Sequence, residues 1–150
     1  MSSQTLIKTH IEDIFRANKL AVLATEGNGQ PHASLVAITP LDDFVHLLFA
    51  TYRSTRKYNN LIHNGKVAVL LENRYINDQN RSEISVLTAF GYAKELGEDS
   101  YEMAKQIHLQ RHPTLGTFLL STDCAIFRVV VDAYQLVLGI DEVKWWNIKE

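Results

Sequence analysis

Short apolar runs separated by tight polar turns recur through this 150-residue chain and limit its fold more than any other feature. "KLAVLAT" (Lys19–Thr25), "HASLVAIT" (His32–Thr39), "FVHLLFA", ending near Ala50, and "KVAVLLE" (Lys66–Glu72) each have the length of one strand. "EGNGQP" is a turn by composition, so the first two runs pair as a hairpin, and "PLDD" turns the chain again. "EISVLTAFGYAKEL" reads as a long strand with a kink at Gly91. "AIFRVVVDAYQLVLG" gives one long strand or two broken ones, and "VKWWNI" a last short one. The polar "NRYINDQNR" reads as a loop.

Helical spacing shows in three places. Leu6, Ile7, Ile11, Ile14 and Phe15 mark a first helix from Gln4 to Asn18, with Ser2 or Ser3 as its cap. Tyr58, Leu61 and Ile62 share one face of a second helix that stops at Asn64-Gly65. "GEDSYEMAKQIHLQRHP" opens on acidic residues and ends at Pro113, as a third helix would. A parallel sheet needs long crossovers between strands, and most connections here are short turns. The predicted class is mainly β with α: six to seven mostly antiparallel strands closing toward a barrel, with two to three peripheral helices, as one domain over 1–150.

The apolar fraction of 46% and charged fraction of 21% are those of a globular protein. A formal net charge of −2 argues against nucleic acid as a partner, because such domains carry a basic stripe. The single cysteine, Cys124, rules out an internal disulfide framework and a multi-cysteine zinc site. No stretch of eighteen apolar residues occurs and the amino terminus has no long apolar core, so neither a membrane span nor a signal peptide is expected. A cytoplasmic location is the expectation.

The most unusual chemistry lies in "FATYRSTRKYNNLIHNG", Phe49 to Gly65. Tyr52, Arg53, Ser54, Thr55, Arg56 and Lys57 crowd hydroxyls and cations where a strand passes into a helix. Free N–H groups and the positive end of the helix dipole favour an anion there. Arg56 and Lys57 in the first turn oppose that dipole, so a compensating anion such as a phosphate fits the pattern. The residues alone leave two readings open: a capped, solvated helix start, or a phosphate seat.

The ordered set of hairpin, strand ending "FAT", "STRK", Asn60-Leu61, Asn64-Gly65 and "KVAVLL" resembles the pyridoxamine-phosphate-oxidase-like family of FMN-binding split barrels, best over Lys19 to Leu96. Asn64-Gly65 stands where that family usually has Asn-Pro. The resemblance implies that Thr55, Arg56 and Lys57 meet the flavin phosphate, with Arg53 as a further aid. It implies that Ala50 and Thr51 lie by the ribityl chain or ring, and that Ser34, Leu35 and Val36 run along the isoalloxazine. It also implies FMN as cofactor, a homodimer with flavin at the subunit interface, and flavin-dependent oxidoreductase activity with NADH or NADPH as a donor. The Arg-rich carboxyl-terminal segment of the oxidases proper has no counterpart here, since no Arg follows Arg128, so a pyridoxine phosphate substrate is not implied. The alternatives are a non-catalytic flavin or haem carrier, with His32, His108 or His112 as axial ligand, and an interaction protein that has lost its cofactor.

Other candidates carry less. His108 and His112 have the i, i+4 spacing of two metal ligands, but no Glu accompanies them and Pro113 follows, so an exposed helix end is expected and no metal. Cys124 reads as a buried, inert thiol. Trp145 and Trp146 must face opposite sides of a strand, one in the core and one partly exposed. Arg74, Tyr75 and Arg81 read as solvated loop residues, with closure over the site as the alternative.

Overall fold

Strand-forming runs and short turns fold here into a single antiparallel sheet that curls on itself. The structure, a computed structural model, describes residues 3–76 and 79–149. The order is α1 (Ser3–Ala17), β1 (Leu20–Gly27), β2 (Gln30–Ala37), β3 (Thr39–Pro40), β4 (His46–Tyr52), α2 (Arg56–His63), β5 (Lys66–Ile76) and β6 (Ser82–Glu95). Then come α3 (Glu98–Arg111), a 3-10 turn (Pro113–Leu115), α4 (Gly116–Leu120), β7 (Cys124–Leu138) and β8 (Glu142–Asn147). The described residues thus hold eight strands and four α-helices, one strand and one helix more than the upper sequence-based counts. The extra strand is the two-residue β3, and the extra helix is the five-residue α4 within "TLGTFLL"; both are too short for periodicity to reveal.

The β1–β2 hairpin turns on Asn28 and Gly29, both at positive φ (53° and 82°), the backbone that a two-residue hairpin loop requires. The sheet runs β2-β1-β5-β6-β7-β4-β3, with β8 also on β7. Strand β5 is longer than the sequence predicts, and β6 has the predicted length, shifted by one residue: Asn73–Ile76 continue the ladder with Ser82–Ser85, so much of the expected polar loop is strand. Asn77 and Asp78, and the side chain of Tyr75, lie outside the described residues. Strand β7 is one unbroken strand, and the expected irregularity at Gly91 is a register shift between Phe90 and Gly91 against it.

Inward side chains from β1, β5, β6, β7 and β4 fill one core, which α1 closes with Ile7, Ile11, Ile14 and Phe15. Trp146 enters that core and stacks on Tyr134 (ring centroids 5.7 Å apart), while Trp145 faces outward against Phe90, as the alternation requires. Cys124 is buried, and burial raises its thiol pKa, which keeps it inert. No helix among the described residues is long and apolar enough to cross a membrane.

The feature that positions the site is a break in the sheet. Chain leaves β2 at Ala37, crosses through Ile38, and joins β3, which pairs with β4 at the opposite end of the strand order. Strands β2 and β4 therefore come side by side without sharing a ladder, and the barrel is split between them.

Candidate functional site

The split holds a cavity of about 210 Å³. One lip is the end of β2 (Leu35, Val36, Ala37), the other the end of β4 (Ala50, Thr51, Tyr52), and the start of α2 supplies Thr55 and Lys57. Six of the eight residues singled out from the sequence thus converge: Leu35, Val36, Ala50, Thr51, Thr55 and Lys57. Leu35 stands outward and is 62% exposed, and β2 is an edge strand paired only with β1, so its outer main-chain edge is open to a polar ring.

The polar end of the cavity is the β4–α2 junction. Thr55 is the N-cap of α2: its Oγ1 accepts from the Tyr58 N–H (3.2 Å) and donates to the Tyr52 carbonyl (2.9 Å). Its hydroxyl proton is therefore spent on the chain itself. Thr51, 2% exposed, places its hydroxyl 3.1 Å from that of Thr55. The backbone N–H groups of Arg56 and Lys57 take no partner among the described residues, leaving two donors at the positive end of the helix. Lys57 is half-buried, makes no ion pair with any described residue, and has its pKa lowered by burial. A cation withdrawn from water without a counter-charge is costly unless something anionic meets it.

Two predicted residues lie apart from this cavity. Arg56 turns to the other flank of α2 and lines a separate cavity with the hairpin. Ser34 pairs with Leu23 across the β1–β2 ladder, is not among the cavity's lining residues, and its buried Oγ has no partner. The expected help from Arg53 is absent for a clear reason. Its guanidinium donates to Glu95 (2.9 Å) and to the carbonyls of Thr122 and Cys124 (3.0 Å each), and Glu95 also accepts from the Tyr58 hydroxyl (2.7 Å). Ser54 likewise donates to Asp123 (2.8 Å) rather than facing a ligand. These groups brace the junction from behind. Arg74 pairs with Glu72 on its own strand (3.1 Å).

The remaining wall could not be read from spacing. Leu115 and Phe118, from the 3-10 turn and α4, and His108, from α3, complete the cavity, and Phe118 packs on Tyr52 (centroids 4.6 Å apart). His108 and His112 are not at an exposed helix end: they are 0% and 6% exposed. The His108 Nδ1 lies 2.8 Å from the Thr39 hydroxyl and the His112 Nε2–H donates to the Ile38 carbonyl (2.9 Å), so both grip the crossing between the two edges of the sheet. Burial, first, and the neighbouring cations lower the His108 pKa to about 4, and burial also lowers that of His112. His108 Nε2 has no partner, and no group of three metal-ligating side chains occurs among the described residues. An apolar run after Pro113 was the available signal for α4, but nothing local indicates that it folds back onto β4.

Solved structures share this architecture. A haem-binding protein from Mycobacterium smegmatis matches with a TM-score of 0.76 at 18% identity, covering 89% of this chain and 55% of that one. This chain thus spans about half the length of that relative. A FAD-binding protein from Mesorhizobium loti matches with a TM-score of 0.72 at 14% identity, covering 89% and 94%. A Clostridium acetobutylicum protein related to general stress protein 26 of B. subtilis, of the pyridoxinephosphate oxidase family, matches with a TM-score of 0.71 at 18% identity, covering 99% and 97%. Identities this low establish a shared split-barrel fold. No curated protein matches the sequence significantly. The family model described as pyridoxamine 5'-phosphate oxidase matches residues 7–132, most of the chain including both lips of the split, and the chain belongs to that family.

Proposed function

We propose that this protein binds FMN in the split between β2 and β4 and acts as a flavin-dependent oxidoreductase. The observation that carries the reading is Lys57, a half-buried ammonium with no carboxylate partner, set beside two free backbone N–H groups at the start of α2. A phosphate ester supplies the missing negative charge and accepts from all three donors. The residues present fit such a group. Apolar Leu35, Val36 and Ala50 flank the same space, as a flat ring needs, and the open edge of β2 offers main-chain donors and acceptors to its polar rim. When bound, the flavin supplies hydride transfer, and the protein supplies position and electrostatics. Lys57 and the α2 amides anchor the tail, β2 orients the ring, and the Leu115–Phe118 wall keeps water from one side. NADH or NADPH is the proposed donor, and a cytoplasmic location accords with the composition.

A cavity of about 210 Å³ is small for a whole flavin, which supports completion of the site by a second copy of the chain. The outer face of the sheet supports the same homodimer: Tyr92 and Trp145 are 53% and 48% exposed there, with Leu70, Phe90 and Val130 also exposed on it. FAD- and haem-binding proteins among the structural relatives support a cofactor-carrying role in general. A haem reading needs an accessible imidazole, and of the three expected ligands only His32 is not deeply buried.

Titration of the purified protein with FMN and riboflavin tests the phosphate seat. Lys57→Ala is expected to weaken FMN by roughly ten- to a hundredfold, the loss of one charged hydrogen bond of about 1.5–3 kcal/mol, and to leave riboflavin almost unchanged. Equal losses for both ligands would remove Lys57 from phosphate recognition. Bleaching of the bound flavin by NADH or NADPH distinguishes an oxidoreductase from a carrier.

A further inference from the structure

The two lips of the split are joined by a very short piece of chain. Ala37 ends β2 and lines the cavity. Thr39 begins β3 and pairs with Leu48 of β4, two residues before Ala50 on the other lip. Only Ile38 stands between Ala37 and Thr39, so whatever holds Ile38 and Thr39 fixes how far β2 stands from β4 at the cavity. His108, Arg111 and His112 lie at i, i+3 and i+4 on one face of the end of α3, and all three reach this crossing. His108 Nδ1 meets the Thr39 hydroxyl (2.8 Å), and the Ile38 carbonyl accepts from Arg111 Nε (3.0 Å) and His112 Nε2 (2.9 Å). On its other side the Ile38 N–H donates to the Lys19 carbonyl (3.1 Å). Ile38 and Thr39 are 0% and 4% exposed, so water does not replace a bond lost there.

These three side chains differ in reach. Arg111 also donates to carbonyls at the end of α1 and so serves the fold at large. The His108 ring makes one hydrogen bond among the described residues, to Thr39, and stands in the cavity wall with Leu115 and Phe118. Its Nε2 is inaccessible and unpartnered, so it offers nothing to a ligand directly. Burying an imidazole with one nitrogen unsatisfied is costly, and an aliphatic side chain would fill the space without that cost. What the ring gains is its single polar contact, made to the residue that sets the split. We propose that His108 is a positioning residue of the cofactor site, acting through Thr39 to hold β2 at the distance from β4 that a flavin ring needs. This rests on the flavin reading of the split.

Three variants test it. Thr39→Val removes the hydroxyl and keeps the branched shape that suits a strand, His108→Asn keeps an amide near the place of Nδ1, and His108→Leu keeps only bulk. Each is titrated with FMN and with riboflavin, well below its own melting temperature. Thr39→Val and His108→Leu are expected to weaken both ligands by the same factor, roughly three- to tenfold, because the ring's seat and not the phosphate is disturbed. The double variant should be no weaker than either single one, the mark of one shared contact, and His108→Asn should recover most of the affinity. The visible absorption band of the bound flavin should shift in the two weakened variants, a change that a loss of stability alone does not produce. Lowered melting temperatures with wild-type affinities and spectra, or losses that add in the double variant, overturn the proposal. A readout without flavin keeps the two claims apart. Nitroxides on Leu35→Cys and Tyr52→Cys, one on each lip, report the width of the split in protein diluted with unlabelled chain, and Cys124 is buried from the label. Their spacing should widen in Thr39→Val. An unchanged spacing in protein that binds flavin overturns the role of His108 and leaves the flavin reading intact. Wild-type protein that binds neither flavin sinks the flavin reading, and the cofactor role of His108 with it.

Discussion

His108 shows how much one side chain's meaning depends on where the chain puts it. Its ring is fully buried, its Nδ1 meets Thr39, and it lines the cavity, so the neutral form is built into the fold. The folded pKa of about 4 lies below the unfolded value of 6.5. The stability this contributes is therefore complete above pH 6.5 and is lost as pH falls from 6.5 toward 4, because the unfolded chain takes up a proton the folded chain refuses. The shift corresponds to roughly 3 kcal/mol. Urea midpoints measured at several pH values should fall through that window, and His108→Gln should flatten the fall. A midpoint that stays constant from pH 7 to pH 4.5 would show that His108 charges freely in the folded protein. Lys57 is the same logic with a different remedy: its lowered pKa can be relieved by a ligand's negative charge.

Among the elements, the C-terminal end of α3 holds the most together. The Arg111 guanidinium donates to the carbonyls of Ile38 (3.0 Å), Phe15 (2.5 Å) and Asn18 (2.9 Å), and His112 adds a second donor to Ile38. One planar group thus caps the end of α1 and clamps the crossing that brings β2 beside β4. Burial without a carboxylate lowers the Arg111 pKa, and three carbonyls offset that cost with directed bonds. Arg111→Ala is expected to destabilise the fold by about 3 kcal/mol, and Arg111→Lys should recover less than half, since a point charge cannot reach three acceptors in a fork. Thermal denaturation of the two variants tests this; full recovery by Lys would reduce the clamp to simple charge.

For the whole molecule, the inner face of the curled sheet is buried, α3 and α4 cover part of the outer face at Leu48, Ala50 and Ile126, and the rest of that face leaves several large apolar side chains exposed. Tyr92 and Val130 pair across β6 and β7 on that face, with Phe90, Trp145 and Leu70 nearby. If the outer face is the proposed homodimer interface, Tyr92→Lys should convert a dimer to a monomer in sedimentation equilibrium while leaving the circular dichroism spectrum unchanged. Flavin affinity should fall in parallel, because the cavity in the split would lose its second wall. A monomeric wild-type protein that binds flavin at full strength would remove the interface from the site.

The places of the seven longer strands, the β1–β2 hairpin, the amphipathic α1 and the outward–inward placement of Trp145 and Trp146 follow from period and turn chemistry, which act within a few residues; the extension of β5 through Asn73–Ile76 does not. The crowding of hydroxyls and cations at the strand–helix junction was equally plain, because it is a local pattern. What local pattern does not carry is direction. Adjacent Arg56 and Lys57 look interchangeable in sequence, yet consecutive positions on a helix lie about 100° apart, so packing against the hairpin sends them to different cavities. Arg53 looks as free as either until β7 and β6 bring up the Cys124 carbonyl and Glu95, 71 and 42 residues away. His108 and His112 look like a polar helix end until that end docks on Ile38 and Thr39. The split itself arises because β2 and β3 are consecutive in sequence but stand at opposite ends of the strand order, a long-range pairing choice that depends on total burial and not on any one segment.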